Sequence, residues 1–194
     1  MKITDDSDLI KSRLKRYNPA LVGSKMAGPK DYDINVLNKL VDKFISSKSD
    51  TERTQFLLDL SDEIRIQEGV PAYSVCQQGC AHCCKIPVSV TAVEAILIGE
   101  YTGKKAKEIV EIEPALDKYD YCPFLDRTTA SCSIYKVRPL HCRNFHSFDH
   151  YDYCKTPDVD HLIFMTTSNE RLTDLLDMLI TASKGYSADI REWF

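Results

Sequence analysis

Cys76-Gln77-Gln78-Gly79-Cys80-Ala81-His82-Cys83-Cys84 places four thiols within nine residues. Four more follow at Cys122, Cys132, Cys142 and Cys154, and the window 76–154 holds every cysteine of the 194-residue chain. Thiolates are soft ligands that select zinc, copper(I) or iron–sulfur clusters. In a C-x2-C turn such as Cys80-Ala-His-Cys83 two sulfurs reach one ion while backbone amides point at them. Gly79, just before it, frees the chain to turn tightly. Cys76 adds a third sulfur one turn earlier. Cys84 does not join the same ion, because adjacent side chains in extended chain diverge. Cys83 and Cys84 then serve two neighbouring metals, or one ligates while the other packs or stands by as a reactive thiol.

The distal half reads Cys122-Pro-Phe-Leu, then Cys132-Ser-Ile-Tyr-Lys-Val-Arg-Pro-Leu-His-Cys142-Arg. Eight sulfurs divide into two four-sulfur sites, so two zinc ions or two clusters would use them all. One four-iron cluster plus four structural or reactive thiols fits the count equally well. A disulfide framework is disfavoured, since the chain starts Met1-Lys-Ile-Thr-Asp-Asp-Ser-Asp with no basic start and apolar run. The expectation is a cytoplasmic protein with reduced thiols. Cys76-x3-Cys80-x2-Cys83 is also the spacing of radical S-adenosylmethionine enzymes. Those need repeated strand–helix units, and the pattern here offers helices with one strand at most.

Near the thiols, His82, His141, His146 and His150 could each replace a thiolate, but the preferred reading is hydrogen bonding around the site. Arg138 and Arg143 either offset thiolate charge or pin the loop through carbonyls, the second being favoured. Asp126 and Glu94 are read as a turn residue and a helix cap.

A net charge of −4 argues against a general nucleic-acid binder. Residues 1–30 hold seven Lys/Arg against three Asp, leaving an acidic body behind a small basic arm that could meet a protein partner. The longest apolar runs fall far short of a membrane helix. The remaining 31–194 reads as a single domain.

Its elements are mostly helices. Ile34, Leu37, Val41 and Phe44 give a helical stripe. Ser49-Asp-Thr-Glu52 reads as a capping box opening a second helix with Phe56, Leu57, Leu60 and Ile64 buried, stopped by Gly69 and Pro71. These two helices are expected to pair with both stripes in the core. Thr91-Ala-Val-Glu94 is a second capping box, its helix ending at Gly103. A short amphipathic helix is expected within 104–118. From 121 to 156 no period is visible, so metal is expected to be what orders it. His161-Leu-Ile-Phe-Met is a strand or the approach to a helix, which Asn169 caps and Gly185 ends. The tail Ile190-Arg-Glu-Trp193-Phe194 is expected to dock its aromatic residues. The fold class is thus mostly α: a small helical domain with long loops cross-linked by metal.

The cysteine pattern, and above all Cys132-x-Ile134-Tyr135-x-x-Arg138-Pro139-x-x-Cys142-Arg143, resembles the bacterial YkgJ-type cysteine-cluster proteins, also called the CxxCxxCC or zinc- or iron-chelating family. The resemblance covers about residues 76–154 and extends to the helix opening at Thr91–Glu94. It implies that Cys76, Cys80, Cys83, Cys84, Cys122, Cys132, Cys142 and Cys154 are all candidate ligands. One departure is the three-residue gap between Cys76 and Cys80, where the family often has two. The implied cofactor is an iron–sulfur cluster, four-iron in type, or zinc. The implied function is metal binding in a structural or sensing role, or in support of a partner interaction. Flagellin lysine N-methylases are distant relatives, so an iron–sulfur-dependent protein-modifying transferase is the alternative. No G-x-G fingerprint supports a nucleotide-type cosubstrate site.

Overall fold

The computed structural model describes residues 31–77, 79–108, 120–155 and 161–194. The basic arm over 1–30 lies outside them, as does 109–119, where most of the expected 104–118 helix would fall; residues 104–108 are not helical.

Asp33 caps α1 (Ile34–Ser46), its carboxylate accepting from the Asn35 amide at 3.0 Å. Ser49 caps α2 (Asp50–Gln67), its hydroxyl accepting from the Glu52 amide at 3.1 Å. Glu52 reaches one residue further back than a capping box requires, taking the Lys48 amide at 2.9 Å. The two helices pack together, and Leu57, Leu58 and Ile64 of α2 are buried. The α1 stripe is only partly core. Leu37 and Phe44 reach inward, whereas Ile34, Val41 and Ile45 are exposed, because α1 makes its substantial contact with α2 alone.

Gly69 adopts the left-handed conformation at φ 75°, ending α2 before α3 (Val70–Tyr73). Pro71 sits in the first turn of α3, where a missing N–H costs nothing. The cysteine nonapeptide follows, with one 3-10 turn at His82–Lys85. Then come β1 (Ser89–Thr91) and α4 (Ala92–Thr102). The Thr91/Glu94 capping box is present, and Gly103 stops α4 at φ 70°. A side chain at Gly99 would stand 2.8 Å from the Lys104 carbonyl, so only glycine lets the chain fold back there.

Residues 121–155 are not an orderless loop. They hold β2 (Leu125–Asp126), β3 (Ser131–Cys132), a turn at Tyr135–Val137, α5 (Leu140–Arg143), β4 (His146–Ser147) and a turn at Tyr151–Lys155. Each piece is anchored by apolar burial: Phe124, Ile134, Val137, Leu140 and Phe148 join the same core as α2 and α4. A buried leucine such as Leu140 contributes about 1.5–3 kcal/mol. The segment therefore carries short elements and apolar anchors that its lack of a period did not reveal. Pieces of two to four residues are too short to show a period.

Strand β5 (Ile163–Phe164) pairs with β4. Asn169 caps α6 (Glu170–Ala182), which buries Leu172, Leu175 and Leu179, and Gly185 follows its end at φ 82°. Strand β6 (Ser187–Asp189) returns antiparallel to β1, pairing Ser89 with Asp189 and Thr91 with Ser187. The last helix, α7 (Ile190–Trp193), seats Trp193, whose indole N–H donates to the Val90 carbonyl at 2.9 Å. Phe194 meets Phe124 edge-on at 4.9 Å between ring centres. The tail docks as expected, in a fold that is mostly α with three two-stranded ladders among the described residues. Among the described residues no helix is long and apolar enough to cross a membrane.

Asp189 fastens this closure. Its carboxylate accepts from the Val88 amide at 2.8 Å and from Arg191 Nε at 2.6 Å. Burial works against its charge, but the bonds from Arg191 and Val88 hold it below the ordinary 3.8. A depressed carboxylate adds stability above its unfolded pKa and loses it as pH falls through the folded value. Asp189→Ala should cost about 1–3 kcal/mol in urea unfolding at neutral pH. The difference from wild type should shrink as the pH falls below the ordinary carboxylate range. A constant difference across that range would contradict the assignment.

Candidate metal centre

The two halves of the cysteine set meet through backbone. The Cys122 amide donates to the Cys84 carbonyl at 2.8 Å, joining the nonapeptide to the distal segment directly. The Val75 amide donates to the Ser147 carbonyl at 2.9 Å, and the Ser147 amide returns to Cys76 Sγ at 3.4 Å. Gly79, at φ 87°, makes the turn that leads into Cys80, as its position suggested.

Backbone amides are aimed at the sulfurs. Cys80 accepts from the His82 amide, Cys122 from the Phe124 amide and Cys132 from the Ile134 amide, the same two-residue offset each time. Such bonds favour the thiolate, the form that binds metal. They are opposed by burial, which pushes Cys80 and Cys122 up to about 11. Burial and the neighbouring Cys83, Cys122 and Cys132 raise Cys142 well above its ordinary range. Cys154 is raised by burial and by Cys83, Cys76 and Cys80.

These influences sort the thiols into two groups. Cys76 and Cys80 bear on Cys154, and Cys76 on Cys80; Cys84, Cys122, Cys132 and Cys142 form the other set; Cys83 lies within electrostatic reach of both. The turn at His82–Lys85 packs against the turn at Tyr151–Lys155, which carries Cys154. Cys83 and Cys84 lie on the His82–Lys85 turn rather than in extended chain, and their side chains touch, so the expected divergence is corrected; the contact pushes Cys84 up and holds Cys83 down. All eight cysteines are free thiols. Among the described residues no group of three or more His, Cys, Asp or Glu side chains stands at the spacing that holds a metal ion.

Around the sulfurs the charged residues divide their work. Arg138 stacks on Tyr135 at 3.8 Å, and its charge lowers Cys83, Cys132 and Cys142. Its Nε is buried without a hydrogen-bond partner among the described residues, as is Nε2 of His82. Arg143 is the pin: it donates to the carbonyls of Arg138, at 2.8 Å, and Lys136, and it pairs with Asp62 of α2. Asp126 is the turn residue, taking the Thr128 amide at 2.8 Å.

Three of the four histidines singled out from sequence have protein partners. His146 lies between Ser74 Oγ, 2.9 Å from Nδ1, and the Arg143 carbonyl, 3.0 Å from Nε2. Burial and Arg65 push it down to about 4. Because the Cys76 amide donates to Ser74 Oγ at 3.2 Å, His146 links the Cys76 loop to α5. His141 Nδ1 lies 3.1 Å from Thr166 Oγ1, and His150 stacks on Tyr151. His161 and Asp149, which sequence reasoning did not single out, border Cys154: His161 Nε2 is 3.6 Å from Cys154 Sγ and Nδ1 is 3.0 Å from Asp149. No spacing rule marks that pair.

Glu94 does more than cap α4. Buried at 2% exposure, it accepts from the Thr91 amide at 2.8 Å, the Thr91 hydroxyl at 2.7 Å and the Leu140 amide at 2.7 Å. The last bond holds the first residue of the helix that carries Cys142.

The donor set suits a soft transition metal: clustered thiols, amides aimed at sulfur, a guanidinium beside them and buried surroundings. Glu94→Ala strands two buried amides, so urea unfolding should show a loss on the order of 2–5 kcal/mol. Glu94→Gln keeps an acceptor and should lose less. A Glu94→Ala protein within about 0.5 kcal/mol of wild type would contradict this role.

No curated protein and no solved structure shows a significant match to the chain. One family model does match, the CxxCxxCC model, described as "putative zinc- or iron-chelating domain", over residues 75–160. That span includes all eight cysteines and both halves of the thiol set. Residues 75–160 of this chain are thus similar to the CxxCxxCC domain.

Proposed function

We propose that this segment is a thiolate metal module whose eight cysteines serve two adjacent centres, divided between Cys83 and Cys84. The observation that carries the reading is the amide-to-sulfur bond from Ser147 to Cys76 Sγ at 3.4 Å, made where the two cysteine-bearing segments meet, which prepares sulfur for negative charge. Neutral, merely packed cysteines have no need of it. Two centres account for the thiol grouping, with Cys76, Cys80 and Cys154 on one side and Cys84, Cys122, Cys132 and Cys142 on the other.

The module's role is to tie the nonapeptide loop to the 121–155 segment, and it leaves the surface around both loops available for a protein partner. Zinc and iron–sulfur centres both take four donors, and four-iron clusters are the iron form that four thiolates suit. When bound, either group supplies cross-links between segments that already share the apolar core. Metal removal is then a local event rather than global unfolding.

Anaerobic purification with elemental analysis, acid-labile sulfide assay and a visible spectrum tests the reading. Two equivalents of zinc and no colour, or a brown protein with iron and sulfide in two centres, would support it. A metal-free, fully reduced protein that takes up neither metal would overturn it. Chelation followed by limited proteolysis should open 74–87 and 121–155 while α2, α4 and α6 stay protected. An unchanged cleavage pattern would remove the cross-linking role.

A further inference from the structure

Cys154 is buried on the Tyr151–Lys155 turn, and the chain brings His161 back beside it. The imidazole is held from its far side. Asp149 Oδ1 lies 3.0 Å from Nδ1, and the two side chains are only 7% and 3% exposed. Asp149 also accepts from Ser147 Oγ at 2.8 Å, the His150 amide at 2.7 Å and the Leu162 amide at 2.7 Å. Both carboxylate oxygens are therefore acceptors of backbone amides. An ionised carboxylate only accepts. Nδ1 must therefore carry the proton of the His161–Asp149 bond, and Nε2 faces Cys154. The Tyr153 ring, edge-on to the imidazole at 6.0 Å between centres, helps fix its plane.

The distance from Nε2 to Cys154 Sγ is 3.6 Å. A tetrahedral ion with a metal–sulfur bond of about 2.3 Å and a metal–nitrogen bond of about 2.0–2.1 Å sets its sulfur and nitrogen ligands about 3.6 Å apart. The pair thus stands at the edge length of such a site. A carboxylate on the other ring nitrogen is also the usual support of a metal-bound histidine.

We propose that His161 is a metal ligand, its Nε2 sharing one ion with Cys154 Sγ while Asp149 fixes the ring. The inference rests on the metal-module reading and adds a donor just outside the matched span 75–160. It makes the centre on the Cys80 and Cys154 side a mixed sulfur–nitrogen site of four donors, with His161 joining Cys80, Cys83 and Cys154 and the exposed Cys76 standing beside them, and leaves the other all-sulfur. Of the imidazoles near the thiols, His161 alone among the described residues has a carboxylate on Nδ1 and a cysteine sulfur at Nε2.

The full chain, stripped of metal and reconstituted with cobalt(II), provides the test. X-ray absorption at the cobalt edge should show imidazole scattering in wild type. That signal should vanish in His161→Cys, which keeps both ions in an all-sulfur environment. His161→Gln should lose one equivalent or bind it at least tenfold more weakly. Asp149→Asn should weaken the same equivalent by about 10–100-fold with nitrogen still bound. Should His161→Gln fail to fold, His161→Cys carries the comparison, because its thiol can occupy the vacated position. Wild-type and His161→Cys spectra that superimpose, or a wild type that binds cobalt without imidazole scattering, would overturn the proposal while leaving the metal module standing. A wild type that takes up no cobalt, zinc or iron would overturn both.

Discussion

The backbone hydrogen bond from the Cys122 amide to the Cys84 carbonyl joins the nonapeptide to the distal half of the thiol set. It lies beside Cys83, the thiol within reach of both groups. Sulfurs from a short loop and from a segment some forty residues later can converge only if their backbones run alongside one another. That contact places Cys122 beside Cys84, the hairpin then presents Cys132, and α5 presents Cys142. On the other side of the junction, the packed turns at His82–Lys85 and Tyr151–Lys155 bring Cys154 toward Cys83.

The surrounding fold holds these backbones in place chiefly with buried charge. Glu94 links the start of α4 to the start of α5, and Arg143 links α5 to α2 and to the carbonyls before it. Both are nearly fully buried. A buried charge persists only when its bonds are filled, so each is fully used as a positioning device. The apolar core does the rest, with Phe124, Ile134, Val137 and Leu140 anchoring the cysteine-bearing turns one by one. Metal, in this account, staples loops that the core has already brought near each other.

Local features were legible in the sequence because their causes are local. The Thr91/Glu94 box, the Asn169 cap and the stops at Gly69, Gly103 and Gly185 each depend on residues within a few positions of one another. The cysteine pattern was legible because reduced thiols set this close together along a chain repel one another once ionised, unless a metal takes up their charge. What was hidden depends on contacts between distant residues. The β1–β6 ladder joins three-residue strands from far apart in the chain, too short to alternate visibly. The Glu94–Leu140 bond and the Asp149–His161–Cys154 arrangement follow no spacing rule. The α1 stripe misled in the other direction: amphipathic periodicity marks a face able to be buried, and Ile34, Val41 and Ile45 show that much of it is not.

The central claim is that the eight thiols serve two separate centres divided at Cys83 and Cys84. Anomalous diffraction from anaerobically grown crystals, recorded at the zinc and iron edges, tests it most directly. Two resolved metal positions per chain are expected, one bounded by Cys80 and Cys154 and the other by Cys84, Cys122, Cys132 and Cys142. A single metal position with sulfurs from both groups, or a metal site away from these cysteines, would contradict it.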